Sequence, residues 1–176
     1  MHFYDLVFEM IDMRSFSNLW YWIVLAVMWS SLSHFILGVP FDMVTRARRR
    51  GGPAMADLED LVRIQVNRRL YIVRVSGMWL VGLAAGVLTV LATLGFWYRL
   101  QIAQALFLLL MPASLVSAMG VQLAFRIEAR RPRGEDLCRS LARHRLAIQL
   151  IGILSIFITA IWGMYQNLNV GPLLSR

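Results

Sequence analysis

Four apolar stretches, free of acidic residues and arginine, limit what this chain can fold into more than any other feature. They run roughly 17–39 (SNLWYWIVLAVMWSSLSHFILGV), 75–97, 102–125 and 146–165. A helix needs about 20 apolar residues to cross a bilayer. A charged side chain at the bilayer centre costs at least about 3 kcal/mol, so the missing charge is informative. Backbone groups in lipid must be paired within the segment, which selects helices over open strands. The runs are continuous and not alternating, which excludes a barrel. The composition agrees, with 59% apolar residues and only 16% charged. This excludes a disordered chain and argues against a water-soluble globule.

Charge placement sets the expected orientation. Every basic residue is arginine, and the net charge is +8. Eight arginines lie between the first and second stretches and seven between the third and fourth, out of 18. The positive-inside rule then puts loops 40–74 and 126–145 in the cytoplasm and both termini in the periplasm of a bacterial inner membrane. Trp20, Tyr21, Trp22, Phe96, Trp97, Tyr98, Trp162 and Tyr165 fall at the opposite interface, where amphipathic rings anchor helices. A signal peptide opens with positive charge, whereas Asp5, Glu9 and Asp12 precede the first stretch against Arg14 alone. We therefore expect a permanent first span. The same acidic residues recur at helical spacing, which predicts a short amphipathic helix on the outer leaflet. It either caps the bundle or docks a neighbouring protein.

The two halves resemble each other. Gly38-Val39, Ala47-Arg48-Arg49 and Gly52 recur 82 residues later as Gly120-Val121, Ala129-Arg130-Arg131 and Gly134. Glu59-Asp60-Leu61, Arg63 and Arg69-Leu70 recur 76 residues later as Glu135-Asp136-Leu137, Arg139 and Arg145-Leu146. The expected fold is an all-α membrane protein: a four-transmembrane-helix bundle from two parallel repeats of a helical hairpin. Gly51-Gly52-Pro53 and Pro132-Arg133-Gly134 read as breaks before helices that begin well outside the membrane. Each acidic pair is expected to open its helix, where it suits the dipole. Leu58, Val62, Val66 and Leu70 form an apolar stripe on the first extension. The loops read as too short for a separate cytoplasmic domain.

Candidate sites follow. Gly82 and Gly86 form a GxxxG, with Ala113, Ser114, Ser117 and Ala118 at similar spacing on the third stretch. Small residues let helices approach closely, and packing inside the bundle is expected ahead of joining two copies. Pro112 is expected to kink the third helix. His34, near Ser30 and Ser31, reads as a packed, hydrogen-bonded histidine and not as a haem ligand, since no second histidine lies in a span. Cys138 and His144 lack zinc spacing. Glu135 and Asp136 are adjacent and point apart on a helix, so they read as a helix start and not as a catalytic pair. No nucleotide-binding loop, GxSxG elbow or HExxH is present. Arg46, Arg48, Arg49, Arg50, Arg130, Arg131 and Arg133 are candidates for contact with anionic lipid heads or an acidic partner. Orientation alone also accounts for them. No aromatic platform accompanies the charge, so no nucleic-acid partner is expected.

The runs FEMIDMRSFSNLWYWIVLAVMWSSLSHFILGVPFDMV and DLEDLVRIQVNRRLYIVRVSG resemble small alphaproteobacterial membrane proteins labelled "component of SufBCD complex". The resemblance covers most of the chain and implies a link to iron–sulfur cluster assembly. The Suf scaffold itself uses cysteines and an ATPase, whereas this chain has one cysteine and no Walker motif. The expectation is a non-enzymatic accessory or scaffold subunit of a larger membrane complex or homo-oligomer, without a cofactor. One rival is a small oligomeric transporter or channel, in which Pro112 or Ser114 would be needed for flux. The other is a membrane recruiter for iron–sulfur machinery, whose arginine loops would hold an acidic soluble partner.

Overall fold

The computed structural model describes residues 19–170, with side chains to 166. The expected N-terminal amphipathic helix lies outside the described residues. The chain forms α1 (Leu19–His34), a hairpin of β1 (Phe35–Ile36) and β2 (Val39–Pro40), α2 (Phe41–Arg50) and α3 (Gly52–Ala92). A π-helical turn (Thr93–Trp97) follows, and then α4 (Gln101–Arg130) and α5 (Gly134–Val170). Three helices are long and apolar enough to cross a membrane: Gly52–Trp97, Gln101–Arg130 and Gly134–Gln166.

The first stretch departs from expectation. Its helix stops at His34, and Leu37 and Gly38 form the two-residue turn of an antiparallel hairpin that pairs Phe35 with Pro40 and Ile36 with Val39. Both turn residues have positive φ, 56° and 83°, which matches the twist that a tight hairpin requires. Glycine adopts this conformation freely. Leu37 adopts it while 4% exposed, so burial offsets the backbone cost. Ile36, Leu37 and Val39 thus enter a protein core and do not extend a lipid-facing helix. The 16 residues of α1 rise about 24 Å, short of the about 20 residues that a span takes.

The later breaks fall where the residues demand them. Gly51, at φ 60°, ends α2, and its N–H donates to the Ala47 carbonyl at 2.9 Å. Pro53 then sits in the first turn of α3, where its missing N–H costs nothing. Arg131, at φ 44°, ends α4, and Pro132 cannot continue the helix. Glu135 and Asp136 do open α5. Glu59 and Asp60 do not open α3, which begins at Gly52 with no acid in its first turn. The six residues by which the first loop is longer are wound into that helix. Pro112 lies buried inside α4, which runs as one helix from Gln101 to Arg130.

The 41 residues of α3 extend about 60 Å. Leu58, Val62, Val66 and Leu70 are buried as their spacing predicts. They join Ile36, Leu37, Val39, Val44, Ala47, Leu123, Ala124, Ile127, Leu137, Cys138 and Leu141 in the larger core. The residues expected as two separate polar loops therefore build one cap, together with the ends of the long helices. A second cluster packs Leu25 and Trp29 of α1 against Val116 of α4 and Ile148 of α5. Gly152 makes this approach possible, because a methyl there would lie 2.8 Å from the Trp29 ring.

The far end is tied by a buried amide. Gln104 Nε2 donates to the Gly95 carbonyl at 2.7 Å, and its Oε1 accepts from Trp162 Nε1 at 3.0 Å and Gln166 Nε2 at 2.6 Å. Gly95 allows this contact, since a Cβ there would be 2.9 Å from the Gln104 nitrogen. Phe96 meets Phe107 and Trp162 edge-on around it.

Core packing is thus concentrated in the cap and not along the bare part of α3. Leu141→Ala, at a fully buried site, should destabilise the protein by about 2–5 kcal/mol. Leu83→Ala, 67% exposed, should change little. Thermal unfolding of both variants in one detergent checks the contrast.

Candidate functional site

The arginine-rich end holds most of the charge. Arg46, Arg48, Arg49 and Arg50 occupy the last turns of α2, where cations complement the helix dipole. All four are exposed. Arg48 forks onto Glu135, with Nη2 2.7 Å from Oε1 and Nε 3.2 Å from Oε2, and so joins α2 to the start of α5. Arg139 reaches the same carboxylate at 3.5 Å. Glu59 Oε1 accepts the Gly134 N–H at 2.7 Å, so a carboxylate from α3 caps the N-terminus of α5. Arg74 pairs with Glu128 at 2.8 Å and Arg63 with Asp60 at 3.0 Å. These pairs are exposed, and each contributes about 0–1 kcal/mol.

Arg131 and Arg133 line an open groove of about 380 Å³ between α3 and the α4–α5 junction, with Glu59, Asp60, Arg63 and Glu128. Arg130 is exposed in the last turn of α4. The structure therefore divides the expected arginine set. Arg48 is paired, Arg131 and Arg133 face a mixed-charge groove, and Arg46, Arg49, Arg50 and Arg130 make no ion pair among the described residues.

Gly82 and Gly86 do not make the expected packing within the chain, since a Cβ at either meets nothing within 4 Å. The partly covered positions of this half of α3 include Val73, Gly77, Leu88 and Leu91, and the two glycines lie off that face. Ser114 Oγ donates to the Met111 carbonyl at 2.7 Å and Ser117 Oγ to Ala113 at 3.0 Å, so both hydroxyls serve their own helix. His34 is exposed, contrary to the packed reading, because the chain turns into the hairpin beside it. Its ring stands edge-on to Phe35. Cys138 is buried; desolvation first, then the charge of Glu135, raises its pKa from the ordinary value. Among the described residues, no three metal-ligating side chains come together.

Compared with protein-family models, with curated proteins and with solved structures, the chain matches none.

A second group of cations, missed in the sequence, lies deeper. Arg69 on α3 is partly buried, and a Cβ added to Gly120 of α4 would lie 2.6 Å from its Nη1. Burial lowers its pKa from the ordinary arginine value. The Arg145 guanidinium carbon stands 3.9 Å from the centroid of the Phe41 ring, a cation–π contact. Its Nε is buried with no hydrogen-bond partner. Desolvation first, then the charges of Arg69 and Arg126, lowers the pKa of His144. The available signal was register: Arg69 is three residues after Val66 and Arg145 four after Leu141, both on apolar stripes.

Because folded His144 binds its proton more weakly than the unfolded chain does, its contribution favours folding above about pH 6.5 and is lost as the pH falls below that value. Thermal unfolding from pH 8 to pH 5 should therefore show the wild type losing stability relative to His144→Gln. A constant gap between the two would contradict this.

Proposed function

We propose that the chain is a non-enzymatic accessory or scaffold subunit of a larger membrane assembly in a bacterial inner membrane. In this reading α1 makes a fourth crossing, both termini face outward, and the two halves are parallel repeats. The packing of α1 against α4 and α5 supports the fourth crossing. Tyr21 Oη donates to the Ala105 carbonyl at 3.4 Å near one end, and Trp29 packs on Gly152 further along.

The bare flank of α3 carries the accessory reading. Only 6% of its apolar window is buried, against 22% and 28% for α4 and α5. Met78 is 88% exposed and Trp79 82%. Lipid alone covers an apolar helix adequately. The uncovered Gly82 and Gly86 add something more, a step where another helix backbone approaches closely. Arg46, Arg49, Arg50 and Arg130, in no ion pair among the described residues, favour anionic lipid heads at the arginine-rich end of the bundle.

A tagged protein, extracted gently and run on a native gel with mass spectrometry of each band, tests the reading. The expected result is a large species holding stoichiometric membrane subunits that survives high salt. Gly82→Leu combined with Gly86→Leu should break it down to the single chain. A small species holding only this protein would overturn the reading and bring homo-oligomeric transport forward. Periplasmic reporter activity at the C-terminus, and its absence in 40–74, would check the topology.

A further inference from the structure

We propose that Arg69, Arg126 and Arg145, with His144 beside them, bind a phosphate group at the arginine-rich end of the long helices. The site differs from the exposed arginines of α2 and the α4–α5 junction. It rests on the chain being a membrane protein and not on the identity of any partner subunit.

Three helices bring these residues to one depth. Gln104 meets Gly95 at the end of α3 and Trp162 on α5, so α4 runs antiparallel to both and α3 runs parallel to α5. The 2.7 Å bond between Glu59 and the Gly134 N–H sets α3 and α5 level. Ten residues beyond Glu59 is Arg69, and ten and eleven beyond Gly134 are His144 and Arg145. At 1.5 Å per residue both positions lie about 15 Å further along their helices. Arg69 and Arg145 are also one of the arginine pairs that the sequence repeat aligns. Arg126 directly follows the apolar stretch 102–125, and Arg145 directly precedes 146–165. This boundary between apolar helix and polar cap is the depth at which lipid phosphates lie.

No carboxylate pairs with this charge among the described residues. Four carboxylates of the cap are committed elsewhere, Glu128 to Arg74, Glu135 to Arg48 and Arg139, Asp60 to Arg63, and Glu59 to the α5 N-terminus, and Asp42, beside Phe41, is exposed and in no ion pair among the described residues. No ion pair reaches Arg69, Arg126 or Arg145 among the described residues. Arg126 is exposed, which leaves the site open from outside, while Arg69 and Arg145 are partly buried. Arg69 has no carboxylate and Arg145 only the face of the Phe41 ring among the described residues, a costly arrangement for partly buried cations, and the buried Arg145 Nε has no hydrogen-bond partner among them. A phosphate offsets both deficits, since its oxygens accept paired donors from planar guanidinium groups. Burial first, then the charges of Arg69 and Arg126, lowers the pKa of His144, which places both arginines near its ring.

Lipid-stripped full-length protein in a neutral detergent provides the test. Its thermal unfolding is followed against phosphatidylglycerol or cardiolipin, against phosphatidylcholine, and against inorganic phosphate with chloride at matched ionic strength. The expected result is stabilisation by phosphatidylglycerol, cardiolipin or inorganic phosphate beyond that given by zwitterionic phosphatidylcholine or chloride, and equal stabilisation by the latter two would overturn the proposal. Anionic lipid acting alone identifies a headgroup site, and inorganic phosphate acting alone identifies a free-anion site. Arg69→Gln with Arg145→Gln should weaken the apparent affinity by about tenfold or more. Arg139→Gln with Arg143→Gln removes the same charge from the exposed face and should leave it unchanged. No stabilisation of the wild type by any probe, or an equal loss in both double variants, would overturn the proposal. Should the first double variant fail to fold, the wild-type measurement still decides, and Arg69→Lys with Arg145→Lys retains the charge while removing the planar fork.

Discussion

A guanidinium group stays charged at every physiological pH, and placing one at the centre of a bilayer costs at least about 3 kcal/mol. Fifteen of the arginines here lie beside the apolar helices and none within the apolar stretches. Each long helix is therefore apolar at one end and strongly basic at the other. The cap follows from this division. Helices that leave the apolar layer must still bury their inward faces, and α2, the hairpin and the ends of α3, α4 and α5 do so against one another. Charges on the outside of that cap remain in water, and the few that turn inward lie at its base.

The bundle is fastened at its two ends by different chemistry. At the arginine-rich end the fastening is apolar, a continuous core from Ile36 to Leu141. At the aromatic end it is a single amide, Gln104, which satisfies groups at the end of α3 and on α5 at once. A buried amide with all its partners in place specifies one register, because sliding either neighbour would strand a donor. Between the two ends the α3 helix is nearly bare, while α1, α4 and α5 cover one another through Trp29, Val116 and Ile148.

Much of this was legible in the residues. The three long helices, the breaks at Gly51 and Pro132 and the inward stripe Leu58–Leu70 follow from length, turn chemistry and spacing. The hairpin at 35–40 was hidden, because FILGVP reads as unbroken apolar sequence and its turn places a leucine at positive φ. The cap was hidden for another reason: its core is shared among five segments, none apolar enough alone to announce it. At the candidate sites the composition of the arginine clusters was plain, but burial was not. Arg68 and Arg69 look alike in sequence, yet only the second falls on the inward face of α3. The outward placement of Gly82 and Gly86 was equally invisible, since a small-residue spacing carries no information on which way it points.

The composition of the cap core also sets an order of events. Its members run from the hairpin near residue 36 to Leu141 in α5. A chain emerging from the ribosome presents Leu58, Val62 and Val66 long before Leu137 and Leu141 exist to cover them. Two long apolar helices must leave the ribosome within that interval. The stripe on α3 therefore waits uncovered while its neighbours are made, and contacts so distant along the chain are the slow ones to close. Closure of the cap is a late step in synthesis. A chain truncated before α5 would display an uncovered apolar face at its arginine-rich end.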